Sequence, residues 1–231
     1  MQTIILAGGK GIRLAPYTTS IPKPLVPVGD HPILEIILKQ LRHFGFYDIE
    51  LAVGHMANII EAYFQDGSKY GLKIHYNLED KPLGTAGPLT LIPDLEDNFL
   101  VMNSDDLTDL NYRDFFNYHL DHQAGVTIAM YTKKQQISLG VLEVNKQNQL
   151  TNYTEKPTFN FQVSMGIYAF KKQALKYIPR SSYFDFPDLI QIMLQNGERV
   201  TCYQHDGYWL DIGRPEDYEE ANKIIKTLKI I

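Results

Sequence analysis

Cysteine is nearly missing from this sequence. Cys202 stands alone among 231 residues, which excludes an intrachain disulfide and any multi-cysteine metal site and fits a reducing compartment. No apolar run approaches the ~20 residues a membrane span needs. The opening MQTIILAGGKG passes from a short apolar stretch straight into glycines, without the basic start and long apolar core of a secretory leader. Charge of one sign is never concentrated either. Twenty-two lysines and arginines face 27 aspartates and glutamates, for a formal net charge of −5. The surface is therefore not a polyelectrolyte for nucleic acid or membrane, and an anionic ligand has to be gripped by local positive groups. Internal repeats and low-complexity tracts are absent, including the hexapeptide repeats of a β-helix. The expectation is a single cytoplasmic domain over 1–231 with no C-terminal β-helix.

What is present is an ordinary core-forming composition, 44% hydrophobic, arranged with two periodicities. Short β-branched runs at 3–6, 49–53, 72–76 and 98–102 read as buried strands. Between them lie amphipathic segments: a helix beginning at His31-Pro32 with Pro32 in its first position, another over 57–65, a short one from about Thr85, and one over 112–122. Strands then crowd together at 125–131, 140–144, 150–153 and 162–170. Helices near 171–177 and 186–196, a strand at 200–203 and a helix over 215–228 complete the chain. Strand–helix alternation followed by a strand-rich middle predicts an α/β fold: a Rossmann-like three-layer α/β/α sandwich with a mixed, mainly parallel central sheet and a small antiparallel insertion.

In such a sheet ligands bind beyond the carboxyl ends of the strands, and the unusual residues fall there. The first strand runs into Leu6-Ala7-Gly8-Gly9-Lys10-Gly11-Ile12-Arg13-Leu14. Glycines let backbone N–H groups approach phosphate oxygens, and Arg13 can fork onto two of them. The loop lacks the Gly-Lys-Ser/Thr of a P-loop and the third glycine of a dinucleotide fingerprint, so the glycines alone leave a phosphate loop and a flexible turn equally open. Pro22 and Pro24 stiffen the backbone around Lys23; taken alone, this stretch reads as a proline-rich surface turn. His119 and His122 sit three apart on a helix and read as exposed histidines rather than metal ligands. Asp105, Asp106 and Asp109 lack the second cluster of an aspartate-rich diphosphate motif.

Together the two loops say more. The string GGKGIRLAPYTTSIPKPLVPV resembles the signature of the sugar nucleotidyltransferases, the NDP-sugar pyrophosphorylases. The resemblance continues through Leu83-Gly84-Thr85-Ala86-Gly87, Asn103-Ser104-Asp105, Glu155-Lys156-Pro157, Gly166-Ile167-Tyr168 and Trp209-Leu210-Asp211-Ile212-Gly213, in the family's order over essentially the whole chain. Ile12, Ser104 and Asp106 depart from the pattern without removing a charge the chemistry needs; Asp106 leaves open which acid of the pair holds metal.

The resemblance implies an enzyme that joins a nucleoside triphosphate to a sugar 1-phosphate, with Mg2+ as cofactor and homo-oligomers common among its members. It implies Asp105 and Asp211 as metal ligands and Arg13 and Lys23 as catalytic cations. The nucleotide would be held by Leu6, Gly8, Gly9, Gly11, Glu79, Gly84 and Thr85, and the sugar phosphate by Asn103, Gly140, Glu155, Lys156 and Gly166. Glu79 stands where the family faces the base. A carboxylate only accepts hydrogen bonds, which suits the adjacent N1–H and N2–H donors of guanine better than the carbonyls of thymine. With LGTAGPL and NSD most like the mannose-1-phosphate guanylyltransferase branch, the expected pair is GTP and a manno-configured sugar. The competing readings are a UTP- or dTTP-using glucose-1-phosphate enzyme and a non-catalytic NDP-sugar-binding homologue.

Overall fold

A computed structural model describes residues 1–226 and 228. In chain order its strands are β1 (Gln2–Ala7), β2 (Pro27–Val28), β3 (His31–Pro32), β4 (Asp48–Val53), β5 (Lys73–Leu78), β6 (Asn98–Asn103), β7 (Asp106–Thr108), β8 (Val126–Gln136), β9 (Gly140–Val144), β10 (Leu150–Glu155), β11 (Thr158–Lys171), β12 (Val200–His205) and β13 (Trp209–Asp211). The α-helices are α1 (Ile33–His43), α2 (Ala57–Phe64), α3 (Tyr112–His122), α4 (Phe186–Gln195) and α5 (Pro215–Ile224).

Seven strands form the central sheet in the order β12-β8-β11-β6-β1-β4-β5. Only β11 runs against the rest, pairing antiparallel with both β6 and β8. The other contacts are parallel, and alternate residues of β1 and β6 therefore feed two separate cores. One holds Ile5, Ile49, Leu51, Leu100 and Met102 under α1, α2 and α3. The other holds Ile4, Phe99, Val101 and Phe170 under α4. This is the mixed, mainly parallel three-layer sandwich the sequence leads one to expect. Among the described residues no helix is long and apolar enough to cross a membrane.

Local differences have local causes. His31–Pro32 does not start a helix: it pairs with Pro27–Val28, and Pro32, extended at ψ 145°, caps α1 instead of entering it. The segments at Gly87–Leu91 and Lys172–Tyr177 are 3-10 turns. The closing helix stops at Ile224, short of the expected residue 228; residue 227 lies outside the described residues. β8 and β11 are longer than their apolar runs, because their distal halves leave the sheet as a two-stranded arm. Beside that arm β9 and β10 form the small antiparallel insertion.

β1 is the point where the order reverses, with β4 on one side and β6 on the other. The loops following β1, β5 and β6 therefore open around one crevice.

Candidate active site

The crevice is a cleft of about 550 Å³. Its floor is the turn after β1. Gly11 takes a left-handed φ of +62° as the chain enters a 3-10 turn at Ile12–Leu14, and its carbonyl accepts the Thr18 hydroxyl at 2.8 Å. A Cβ at Gly11 would press on Thr18 and Lys23, at 3.0 and 3.1 Å. Leu14 is fully buried and anchors the turn, leaving Arg13 exposed at the rim. Gly9 has open space on its Cβ side, so a ligand can approach its backbone closely.

Lys23 comes from the next turn. Pro22 stands before a 3-10 segment over Lys23–Leu25, and Pro24 is buried within it. This fixes the stem of a lysine whose ammonium contacts Asp105 Oδ2 directly, with both side chains only 13% exposed.

Asp105 lies between β6 and β7. A short ribbon brings its counterpart: β13 pairs antiparallel with β7, setting Asp211 opposite Asp106, and Ile212 N–H donates to the Asp105 carbonyl at 3.1 Å. Asp105, Asp106 and Asp211 each offer a carboxylate oxygen, all within 4.8 Å of one another. Burial first, then the Asp105 and Asp211 charges, push the Asp106 carboxyl well above the usual range. Burial and Asp105 likewise raise Asp211, against the lowering pull of Lys23 and Arg13. Asp106 Oδ2 is buried without a hydrogen-bond partner. Three converging carboxylates, one with an orphaned oxygen, form an all-oxygen donor set that fits a hard divalent cation such as Mg2+.

The far wall is the loop after β5. Glu79 accepts Leu83 N–H at 3.2 Å through Oε2. Its Oε1 lies over Gly8, where a Cβ would come within 2.5 Å. Burial raises its carboxyl above the ordinary value. Gly84 has φ +78°, and a Cβ there would meet the Phe184 carbonyl oxygen at 2.6 Å. Thr85 is tied into the start of α4: its N–H and hydroxyl reach Asp185 Oδ1 at 2.8 and 3.0 Å, and its Oγ1 accepts Phe186 N–H at 2.9 Å. Its hydroxyl thus serves the fold.

Of the residues singled out from the sequence, Leu6, Gly8, Gly9, Gly11, Arg13, Lys23, Glu79, Gly84, Thr85, Asn103, Asp105 and Asp211 line this one cleft. Gly166 does not, but it lies directly beneath Asn103: at φ +76°, a Cβ would run into the Asn103 amide. Gly140, Glu155 and Lys156 are not brought to the cleft. They gather at the end of the β9–β10 ribbon, where Gly140 pairs with Glu155 and Lys156 Nζ lies 4.0 Å from Glu155 Oε1. Gly140 is needed there because a Cβ would enter the Tyr153 ring. Lys10, Ser104 and Tyr183 also line the cleft. Tyr183 sits in a loop with no pattern that marks it, and its hydroxyl donates to Asp185 Oδ2 at 2.8 Å. A second cavity of about 460 Å³ adjoins the first across Arg13, Asp211 and Gly213 and brings in Lys133 and Arg214.

The histidine pair diverges. His119 turns inward, with Nδ1 2.8 Å from Thr127 Oγ1, whereas His122 Nδ1 reaches the Tyr118 carbonyl at 2.8 Å.

Residues 2–227 match the protein family described as Nucleotidyl transferase. A UTP–glucose-1-phosphate uridylyltransferase from Synechocystis is 34% identical over 250 residues, covering 100% of this chain and 64% of that protein. A mannose-1-phosphate guanyltransferase from Schizosaccharomyces pombe is 32% identical over 231 residues, covering 94% and 62%. The chain thus spans somewhat less than two thirds of the length of these curated relatives. The crystal structure of HddC from Yersinia pseudotuberculosis superposes with a TM-score of 0.77 at 25% identity, covering 97% of this chain and 99% of that one.

Proposed function

The chain belongs to the nucleotidyl transferase family, and from that premise we propose that it transfers a nucleoside monophosphate from a nucleoside triphosphate to a sugar 1-phosphate, releasing pyrophosphate. The observation that carries this reading is the convergence of Arg13, Lys23, Asp105 and Asp211 with an open glycine turn on a single cleft.

A sugar phosphate oxygen attacks the α-phosphorus and pyrophosphate leaves in line. The attacking phosphate is already ionised, so the protein needs no general base; it must bring two polyanions together and stabilise the charge that develops. Backbone N–H groups of Gly8, Gly9 and Gly11 cradle the triphosphate, Arg13 grips it from the rim, and Lys23 reaches in at the junction of the two substrates. Asp105 and Asp211 would hold a Mg2+ ion, with Asp106 beside them, and the ion would supply charge neutralisation for the phosphates. Asn103, with Gly166 beneath it, receives the sugar side. Gly140, Glu155 and Lys156, which the family resemblance puts on the sugar phosphate, stand apart from the cleft on the ribbon.

The base is read by Glu79. Its free Oε1 is an acceptor only, half-buried at the cleft wall, and this favours guanine, with mannose or another manno-configured hexose as the sugar. The two relatives, a uridylyltransferase and a guanyltransferase, are nearly equally similar, so the local chemistry of Glu79 supplies the preference.

Pyrophosphate release measured for each of GTP, UTP, dTTP, ATP and CTP against mannose, glucose and heptose 1-phosphates tests the reading. GTP with a manno-configured sugar is the expected optimum. A UTP or dTTP optimum removes the guanine assignment, and no turnover with any pair removes the enzyme assignment.

A further inference from the structure

Tyr183 reaches the cleft from outside every sequence motif. It is the one aromatic among the described residues that line the cleft. At 65% it is also the most exposed aromatic side chain among the described residues. An exposed tyrosine ordinarily keeps its rotamer freedom; this one is held. Its hydroxyl donates to Asp185 Oδ2 at 2.8 Å. The other oxygen of that carboxylate accepts the N–H and hydroxyl of Thr85 at 2.8 and 3.0 Å. The next residue is knitted to the Gly84 loop as well. Phe184 N–H donates to the Leu83 carbonyl at 2.9 Å, and the Phe184 carbonyl accepts Ala86 and Gly87 N–H at 2.9 and 3.0 Å. A large ring is thus fixed at the cleft with most of its surface bare.

The anchoring of the loop indicates which substrate the ring meets. Phe186, three residues on, tilts against the Tyr168 ring at 4.5 Å between centroids. Tyr168 follows Gly166 by two residues on β11, and Gly166 lies beneath Asn103. Tyr183 therefore belongs to the wall that carries Asn103, on the sugar side, whereas Glu79 Oε1 lies over Gly8 on the nucleotide side. A sugar there needs an apolar surface as well as polar contacts. Asn103 does not supply one. A pyranose presents a patch of C–H groups between its hydroxyls, and the electron-rich face of an aromatic ring suits that patch.

Granting that the cleft takes a sugar 1-phosphate, we propose that Tyr183 is a sugar-binding residue whose ring is the platform for the pyranose, with Asp185 as the residue that positions it. One carboxylate ties the platform to Thr85, so the ring and the Gly84 loop are set together.

The test is equilibrium binding of GDP, UDP, GDP-mannose and UDP-glucose to the full-length protein by titration calorimetry, paired with steady-state kinetics. Tyr183→Ala should weaken whichever NDP-sugar the wild type binds by about tenfold, the worth of one aromatic contact, and leave the matching NDP unaffected. Tyr183→Phe, which keeps the ring, should recover most of the loss. Tyr183→Leu lacks a π face and makes the same comparison if the alanine variant does not fold. In turnover the loss should appear in KM for the sugar 1-phosphate and not in KM for the nucleotide. Equal losses for NDP and NDP-sugar would put the ring on the nucleotide, and an unchanged NDP-sugar affinity would leave it no ligand; either overturns the proposal. Binding is read without turnover, so an inactive protein that still shows the NDP-sugar difference loses the enzyme assignment and keeps this one. A wild type that binds no NDP-sugar overturns both.

Discussion

Trp209 donates its indole N–H to Asp106 Oδ1 at 3.0 Å and shares it with the Met165 carbonyl at 3.1 Å. That bond ties the end of the chain to the middle of the sheet. It pins β13 against β7 and so delivers Asp211 to Asp105 from more than a hundred residues away. The acid cluster therefore depends on a two-stranded ribbon outside the main sheet, and short ribbons are marginal on their own.

Trp209→Phe keeps a partly buried ring but removes the donor. With Asp106 then orphaned on both oxygens and the ribbon less tightly registered, turnover should fall about tenfold or more. The fold should lose only ~1–3 kcal/mol, the cost of an unsatisfied buried acceptor. Pyrophosphate release and urea melts read the two effects separately; a full rate in a folded variant would mean that the ribbon holds register without this bond.

Asp211→Asn should abolish turnover, at least about a hundredfold, with the fold intact by near-ultraviolet circular dichroism. Asp105→Asn should do the same, but with a stability cost as well, because Lys23 loses its largely buried partner. Near-normal rates in either variant would contradict the metal assignment.

Glu79→Gln should relax the discrimination between GTP and UTP or dTTP, since the amide offers a donor where the carboxylate only accepts. The ratio of kcat/KM values across the three nucleotides measures it. An unchanged ratio would mean that Glu79 only caps the loop through Leu83 N–H.

Much of this site is legible in the sequence because it lies where apolar runs stop. The glycines after β1 and Asp105 after β6 are chain breaks at strand ends, whereas Lys23 lies between its prolines in a 3-10 turn and stands out only through the family resemblance. The rest is set by contacts that no local pattern records. Residues 132–136 of β8 are polar on both faces, because the arm they build has no core side. That removes the alternation by which a strand is read. β7 is three residues long, and among the described residues only β13 makes it a strand. Thr85 sits in a motif loop yet spends its hydroxyl on α4, a partner a hundred residues away. Tyr183 reaches the cleft only because the loop before α4 packs against Gly84.

His119 makes the fold sensitive to acid. It is 1% exposed, its Nε2 has no partner, and burial, with a smaller contribution from Lys171, pushes its pKa down to about 4 from 6.5. Between those values the unfolded chain takes up a proton that the folded chain refuses, so the stabilisation is fully present above about pH 6.5 and is lost as the pH falls toward 4. At ~1.4 kcal/mol per pH unit, the loss reaches about 3 kcal/mol. Asp106 and Asp211, whose folded values are raised, act in the opposite direction, gaining stability as the pH falls. That contribution is common to the wild type and to His119→Leu and cancels in their difference. Thr127 keeps a partner in this variant, since its hydroxyl is also 2.9 Å from Thr201 Oγ1. Urea midpoints at pH 7 and pH 5 should therefore separate the two proteins, the wild type losing about 2 kcal/mol more than His119→Leu over that interval. Parallel losses would show that the folded protein accepts the proton without cost.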